Sequence, residues 1–201
     1  NSRKKENSYQ IKDVETQLGN SVDYQLNFKK ADNGKLFFNT FKTTLKQKGQ
    51  LDMEHTFPIK YKGITAKESI NLLEGRSVLT PMKDFKNDKV ANAFIEFRTA
   101  DEKNKYQNYK MNMVFENKVN VNNTLVGSKI DIANEDVKAR TIKSLQKGNI
   151  TSVVFNNKEK GLAILNPAEN KLDLYDADMN KLDFKKTLAI EEKKPKQSIK
   201  M

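Results

Sequence analysis

Few residues in this chain could do chemistry, and their types narrow it quickly. His55 is the only histidine and there is no cysteine. Serine–histidine triads, thiolate nucleophiles, disulfides and histidine-rich metal sites therefore lack their parts. Serine–lysine or carboxylate chemistry survives in principle. A single histidine beside a strand reads as structural before catalytic. Asp176–Asn180 (DADMN) opens like a calcium loop, D-x-D-x-N. The sixth position, which needs glycine for the bend, is Lys181, and the twelfth, which needs a bidentate glutamate, is Thr187. A polar turn after a strand explains the same residues. Asp32, Asp101 and Asp131 are the acids considered for a magnesium-dependent nuclease, but no spacing among them favours it. No cofactor is implied, because phosphate loops, dinucleotide fingerprints and metalloprotease helices are all absent. Asn122-Asn123-Thr124 and Asn149-Ile150-Thr151 match the glycosylation sequon, as chance allows in an asparagine-rich chain.

Two features point to binding instead. The net charge is +11 over 201 residues, and it collects at the ends. Residues 1–6 carry +2 and residues 185–201 carry +4, leaving +5 for everything between. Arg3, Lys4 and Lys5 at one end, and Lys185, Lys186, Lys193, Lys194 and Lys196 at the other, are candidate phosphate contacts through counterion release. Solubilising tails are the plainer reading. Only Arg3, Arg76, Arg98 and Arg140 stand against 33 lysines. Arginine supplies the fork that reads guanine, so any nucleic-acid contact is expected to be non-specific. The second feature is a set of aromatics among lysines: Phe37, Phe38, Phe41, Tyr106 and Tyr109. On a sheet face such residues can stack bases. Strand alternation turning them into a core is the other reading.

The elements that must position these residues follow from patterning. Tyr24, Leu26 and Phe28 alternate with polar residues at strand period. Asn33-Gly34 marks a hairpin, since both residues tolerate positive φ. Phe37, Phe41 and Leu45 continue the return strand at a spacing that requires a bulge. HTFPIKY (His55–Tyr61) is a third strand, which Pro58 confines to an edge or a bulge. Thr65 and Glu68 then form a capping box. Ala66, Ile70 and Leu73 share one helical face, with Leu72 beside them, and Gly75 stops the helix. RSVLTPM resumes as strand.

The second half repeats this order. NFKKAD at Asn27–Asp32 is echoed by EFRTAD at Glu96–Asp101. Phe94 and Phe97 precede a charged turn, and Tyr109, Met111 and Met113 alternate after it. Asn134 caps a helix bearing Val137, Ile142 and Leu145, closed by Gly148. ITSVVF is a strand, and GLAILN and KLDLYD form a terminal hairpin around Pro167–Asn170. The expected fold is α+β: antiparallel sheet with two packed helices, arranged as two pseudo-repeated β-β-(β)-α-β halves. The expected organisation is a flexible or short helical N-terminus over 1–20, with YQIKDVETQL as the helix, a first half over 21–90, a second half over 91–184, and a basic disordered tail over 185–201.

Several phrases, in order, carry a resemblance. They are FFNTF (Phe37–Phe41), HTFPI (His55–Ile59), GITAKESINLLEGRSV (Gly63–Val78), IKSLQKGNITSVVF (Ile142–Phe155) and LNPAENKLDLYDADMNKL (Leu165–Leu182). Together they resemble the domain of unknown function 3945 family, found mainly in Bacteroidetes, over most of residues 24–182. Asp101–Val126 departs from the family pattern. The resemblance implies a role in the gene content of conjugative or mobilisable elements, near DNA-processing proteins. It brings no catalytic residue to carry over.

No apolar run approaches the roughly 20 residues a membrane span needs, and no signal peptide is legible. The expectation is a cytoplasmic, non-enzymatic accessory or binding protein of a mobile element. Its partner is another protein, with nucleic acid a further partner of the lysines, no membrane, and no oligomeric state set by sequence. A carboxylate-based metal-dependent nuclease and a surface or secreted binding domain are the alternatives.

Overall fold

Two β-bulges shape the first sheet. The computed structural model describes residues 7–59, 63–84, 88–97, 103–105 and 107–183. Strands β1 (Asn7–Glu15), β2 (Ser21–Lys30), β3 (Leu36–Lys46) and β4 (Met53–Pro58) form an antiparallel sheet in that order. The expected bulge in β3 falls at Asn39: Thr40 pairs with Asn27, but Phe38 pairs with Phe28. It turns Leu36, Phe38, Phe41, Thr43 and Leu45 to one face despite their uneven spacing. Pro58 ends β4 at the sheet edge, where its missing N–H breaks no ladder. The stretch expected as a frayed end or short helix is instead β1. Its Ile11–Val14 spacing imitates a helical i, i+3 pair but comes from a second bulge, with Asp13 at φ 57°.

Helix α1 (Ala66–Leu73) begins at the expected capping box. The Glu68 N–H donates to Thr65 Oγ1 at 3.3 Å, and the Thr65 N–H donates to Glu68 Oε2 at 2.9 Å. Its buried face is Leu72 and Leu73 together with Ser69 and Asn71, while Ala66 is exposed. Strands β5 (Val78–Asp84), β6 (Lys89–Phe97) and β7 (Met111–Phe115) form a second antiparallel sheet. The division expected at 90/91 lies within β6. A short helix not expected from sequence, α2 (Val121–Val126), follows one 3-10 turn. Asn120 caps it, and the helix buries its own Val121 and Leu125. Helix α3 (Glu135–Gln146) is capped by Asn134 as expected. Strands β8 (Thr151–Val154), β9 (Lys160–Asn166) and β10 (Lys171–Tyr175) make a third sheet in the order β10-β9-β8. The fold is α+β, with three small antiparallel sheets and three helices.

The layers alternate: sheet, α1, sheet, α2 with α3, sheet. The middle sheet serves both sides, because successive residues point to opposite faces. Val78 and Ile95 join Val22, Phe41, Leu45, Leu72 and Leu73 in one core. Leu79 and Phe94 join Leu125, Leu145, Phe155, Ala163 and Leu165 in the other.

The two glycine-stopped helices end against each other. In each, the glycine N–H reaches back three residues, Gly75 to Leu72 at 3.1 Å and Gly148 to Leu145 at 3.0 Å. In each, the next residue bonds back five positions through backbone and side chain alike. Arg76 binds the Asn71 carbonyl at 2.8 Å and Asn71 Oδ1 at 2.6 Å. Asn149 binds the Ser144 carbonyl at 3.2 Å and Ser144 Oγ at 3.3 Å. The stops then interlock: Asn71 Nδ2 donates to the Lys147 carbonyl at 2.7 Å, and Arg76 Nε donates to the Gly148 carbonyl at 2.7 Å. Glu74 closes the network. Its Oε2 lies 2.6 Å from Arg76 Nη2, and its Oε1 accepts from Thr16 and Asn20 of the β1–β2 turn.

Candidate binding face

The first sheet is longer than the helix that covers it. Cross-strand pairs place Tyr9, Leu26 and Phe41 in one row, and Asn7, Phe28 and Phe38 in the next. Helix α1 packs on β3 and β4. Tyr24 Oη donates to the Ala66 carbonyl at 3.0 Å, and Thr43 Oγ1 meets Ser69 Oγ at 2.8 Å. These contacts fix the helix over the Val22–Tyr24–Phe41–Leu45 end. The far end of the same face has no cover among the described residues. Phe41 is 4% exposed, but Phe38 is 41%, Leu36 52% and Tyr9 63%. Phe37, on the opposite face of the same hairpin, is 56% exposed. The Phe28 and Phe38 rings meet at 5.2 Å and give the patch a firm floor. Burying a phenylalanine side chain is worth about 2–3 kcal/mol, and much of that is forgone at Phe37 and Phe38.

Charge surrounds this patch. Exposed Lys29 pairs with Phe37 across the hairpin and Lys30 with Leu36, and Lys35 sits in the turn. On the other face of the sheet, acids and lysines pair with each other: Lys46 with Asp23 at 2.7 Å and Lys42 with Glu54 at 3.1 Å.

The aromatics singled out in the sequence therefore divide. Phe41 and Tyr109 are core, Phe37 and Phe38 are surface, and Tyr106 lies outside the described residues. Sequence reading missed Tyr9, Leu36 and the floor residue Phe28 as members of the patch. The usable signal was the bulge, which assigns Leu36 and Phe38 to the face of Phe41 but beyond the reach of an eight-residue helix.

The other candidates have settled roles. His55 is buried against Phe97 and Phe57, with ring centroids at 4.4 and 4.6 Å. The Tyr109 N–H donates to its Nδ1 at 3.1 Å, which leaves the proton on Nε2. Burial pushes its pKa down to about 4, so it is neutral at pH 7. Asp176 is occupied by its own turn. Its Oδ1 accepts from the N–H groups of Asp178 and Asn180 and its Oδ2 from Asn180 Nδ2. The Asn180 side chain, ahead of these backbone donors, holds its carboxyl below the ordinary value. Asp131 pairs with Lys158, Asp32 lies in the β2–β3 turn, and Asp101 is outside the described residues. No three histidines or acids gather as a metal site among the described residues. Asn149, one sequon asparagine, spends its side chain in the helix-end junction. Arg3, Lys4 and Lys5, and Lys185, Lys186, Lys193, Lys194 and Lys196, lie outside the described residues.

No family model, curated protein or solved structure matches this chain. The resemblance to the 3945 family accordingly rests on its ordered phrases alone. Among the described residues no helix is long and apolar enough to cross a membrane.

Proposed function

We propose that this chain is a non-enzymatic binding module that engages another protein through the uncovered end of its first sheet. The reading rests on one observation: Tyr9, Leu36 and Phe38 stand exposed on one face of the sheet, beside Lys30 and Lys35, while Phe37 and Lys29 lie on the reverse face of the same hairpin. Apolar groups left in water at one place mark an interaction surface. Its basic rim selects a partner whose own apolar patch is flanked by aspartate or glutamate. An accessory role in a bacterial mobile element, in the cytoplasm, is part of the proposal and is supported by the sequence resemblance alone.

A photo-crosslinking residue at Tyr9 tests this in nuclease-treated extract of cells that carry the gene. The expected result is a discrete protein adduct that maps to an acidic, apolar segment of the partner. Leu36→Ser with Phe38→Ser should weaken the interaction roughly ten- to thirtyfold. Lys30→Glu with Lys35→Glu should weaken it most at low salt. Adducts to nucleic acid alone, or none, would reject the reading. The basic tail is tested apart, by titrating random DNA at two salt concentrations with and without residues 185–201. Unchanged affinity would remove Lys185–Lys196 from the contact.

A further inference from the structure

The third sheet carries an open edge beside an apolar cleft, and this is independent of the patch on the first sheet. Strand β8 alternates its backbone. Thr151 and Val153 pair into β9, and the Phe155 N–H donates to the Glu159 carbonyl at 2.8 Å. Ser152 and Val154 must therefore turn their N–H and C=O groups outward. The Asp131 N–H takes the Val154 carbonyl at 2.7 Å, where the chain briefly pairs at Ile130 and Phe155 before leaving for α3. Among the described residues, the Ser152 N–H and C=O and the Val154 N–H have no such backbone partner. Beside them lies a half-open cleft of about 670 Å³, within the range of ligand sites. Ile132, Ala133, Val137, Thr141, Val153 and Leu162 line it. Asp131 and Lys160 are its charged lining residues. Lys158 is spent on Asp131, whereas Lys160 lines the cleft with no ion pair among the described residues.

We propose that this cleft binds an extended peptide segment of a partner protein by strand addition to β8. The segment's backbone bonds Ser152, one apolar side chain enters between Val137 and Val153, and an acidic residue meets Lys160. Main-chain bonds supply affinity in this mode and the side-chain pocket supplies selectivity. A small apolar acid would fill the same cleft without using the strand edge, so the two occupants separate on the Ser152 N–H.

The probe is a random dodecapeptide library selected against the purified full chain. The expected consensus alternates apolar and polar residues with one aspartate or glutamate. Ser152→Pro removes an outward N–H that β9 does not use, so the folded state should persist by circular dichroism. The selected peptide should bind it about tenfold more weakly. Lys160→Glu should shift the selected consensus from an acidic to a basic residue, and Val137→Lys should abolish binding. Two results overturn the proposal: no enriched consensus, or peptides whose affinity survives Ser152→Pro.

Discussion

His55 shows how a residue that looks reactive in sequence can be spent on packing. Its ring is one of a cluster with Phe57, Phe97 and Tyr109, and its Nδ1 serves a backbone donor. Ordinary histidine titrates near 6.5, and the folded chain holds this one at about 4. As pH falls, the unfolded chain takes up the proton first. The neutral-histidine contribution is therefore full above pH 6.5 and is lost between 6.5 and 4, by about 3 kcal/mol. Urea unfolding at pH 7 and pH 4.5 should show this drop, and His55→Phe should show a smaller one over the same window. Arg76 is the opposite case: it stands out in sequence only by rarity, yet it is buried in an ion pair with Glu74. Breaking such a pair strands a charge, so Arg76→Met should cost about 3–5 kcal/mol in the same assay. A loss under 1 kcal/mol would mean the pair is solvated.

Local chemistry was most legible where a residue's own side chain or φ decides the outcome. The Thr65–Glu68 box, the Asn134 cap, the Asn33-Gly34 hairpin and the stops at Gly75 and Gly148 all stand where patterning placed them. Tertiary pairing decides what was not legible. β1 is a strand because β2 offers it a partner, and its bulge disguises the strand period as a helical one. α2 spans six residues, too short for a periodic signal, and was hidden in a polar stretch. Ser69 and Asn71 are buried on α1 because Thr43 and the end of α3 supply hydrogen bonds that the sequence of α1 alone cannot reveal. The two glycine stops have a measurable asymmetry. Both have positive φ, but a Cβ at Gly75 meets open space, while one at Gly148 falls 2.6 Å from the Ser77 carbonyl oxygen. Gly75→Ala should cost about 1–2 kcal/mol from φ alone. Gly148→Ala should cost clearly more, because the helix-end junction must part. Equal losses in thermal or urea unfolding would show that the two helix ends do not touch.

At the scale of the molecule, three sheets share two cores, and the middle sheet belongs to both. The candidate site follows from this arrangement. One eight-residue helix, about 12 Å long, spans the first core and cannot also cover the hairpin tip of strands ten and eleven residues long. Phe38 stays outside because the fold has no further layer on its side among the described residues, and Phe37 is exposed on the reverse face. Sequence patterning placed both phenylalanines on a strand but left open whether they were core or surface. The missing fact was where α1 would stop. Hydroxyl-radical footprinting of the free protein, read by mass spectrometry, tests the central claim most directly. Phe37, Phe38 and Tyr9 should be oxidised far faster than Phe41 and Phe57, which serve as internal buried references. Phe38 and Tyr9 protected to the level of Phe41 would contradict the account, because the face assigned to a partner would then already be covered by the chain itself.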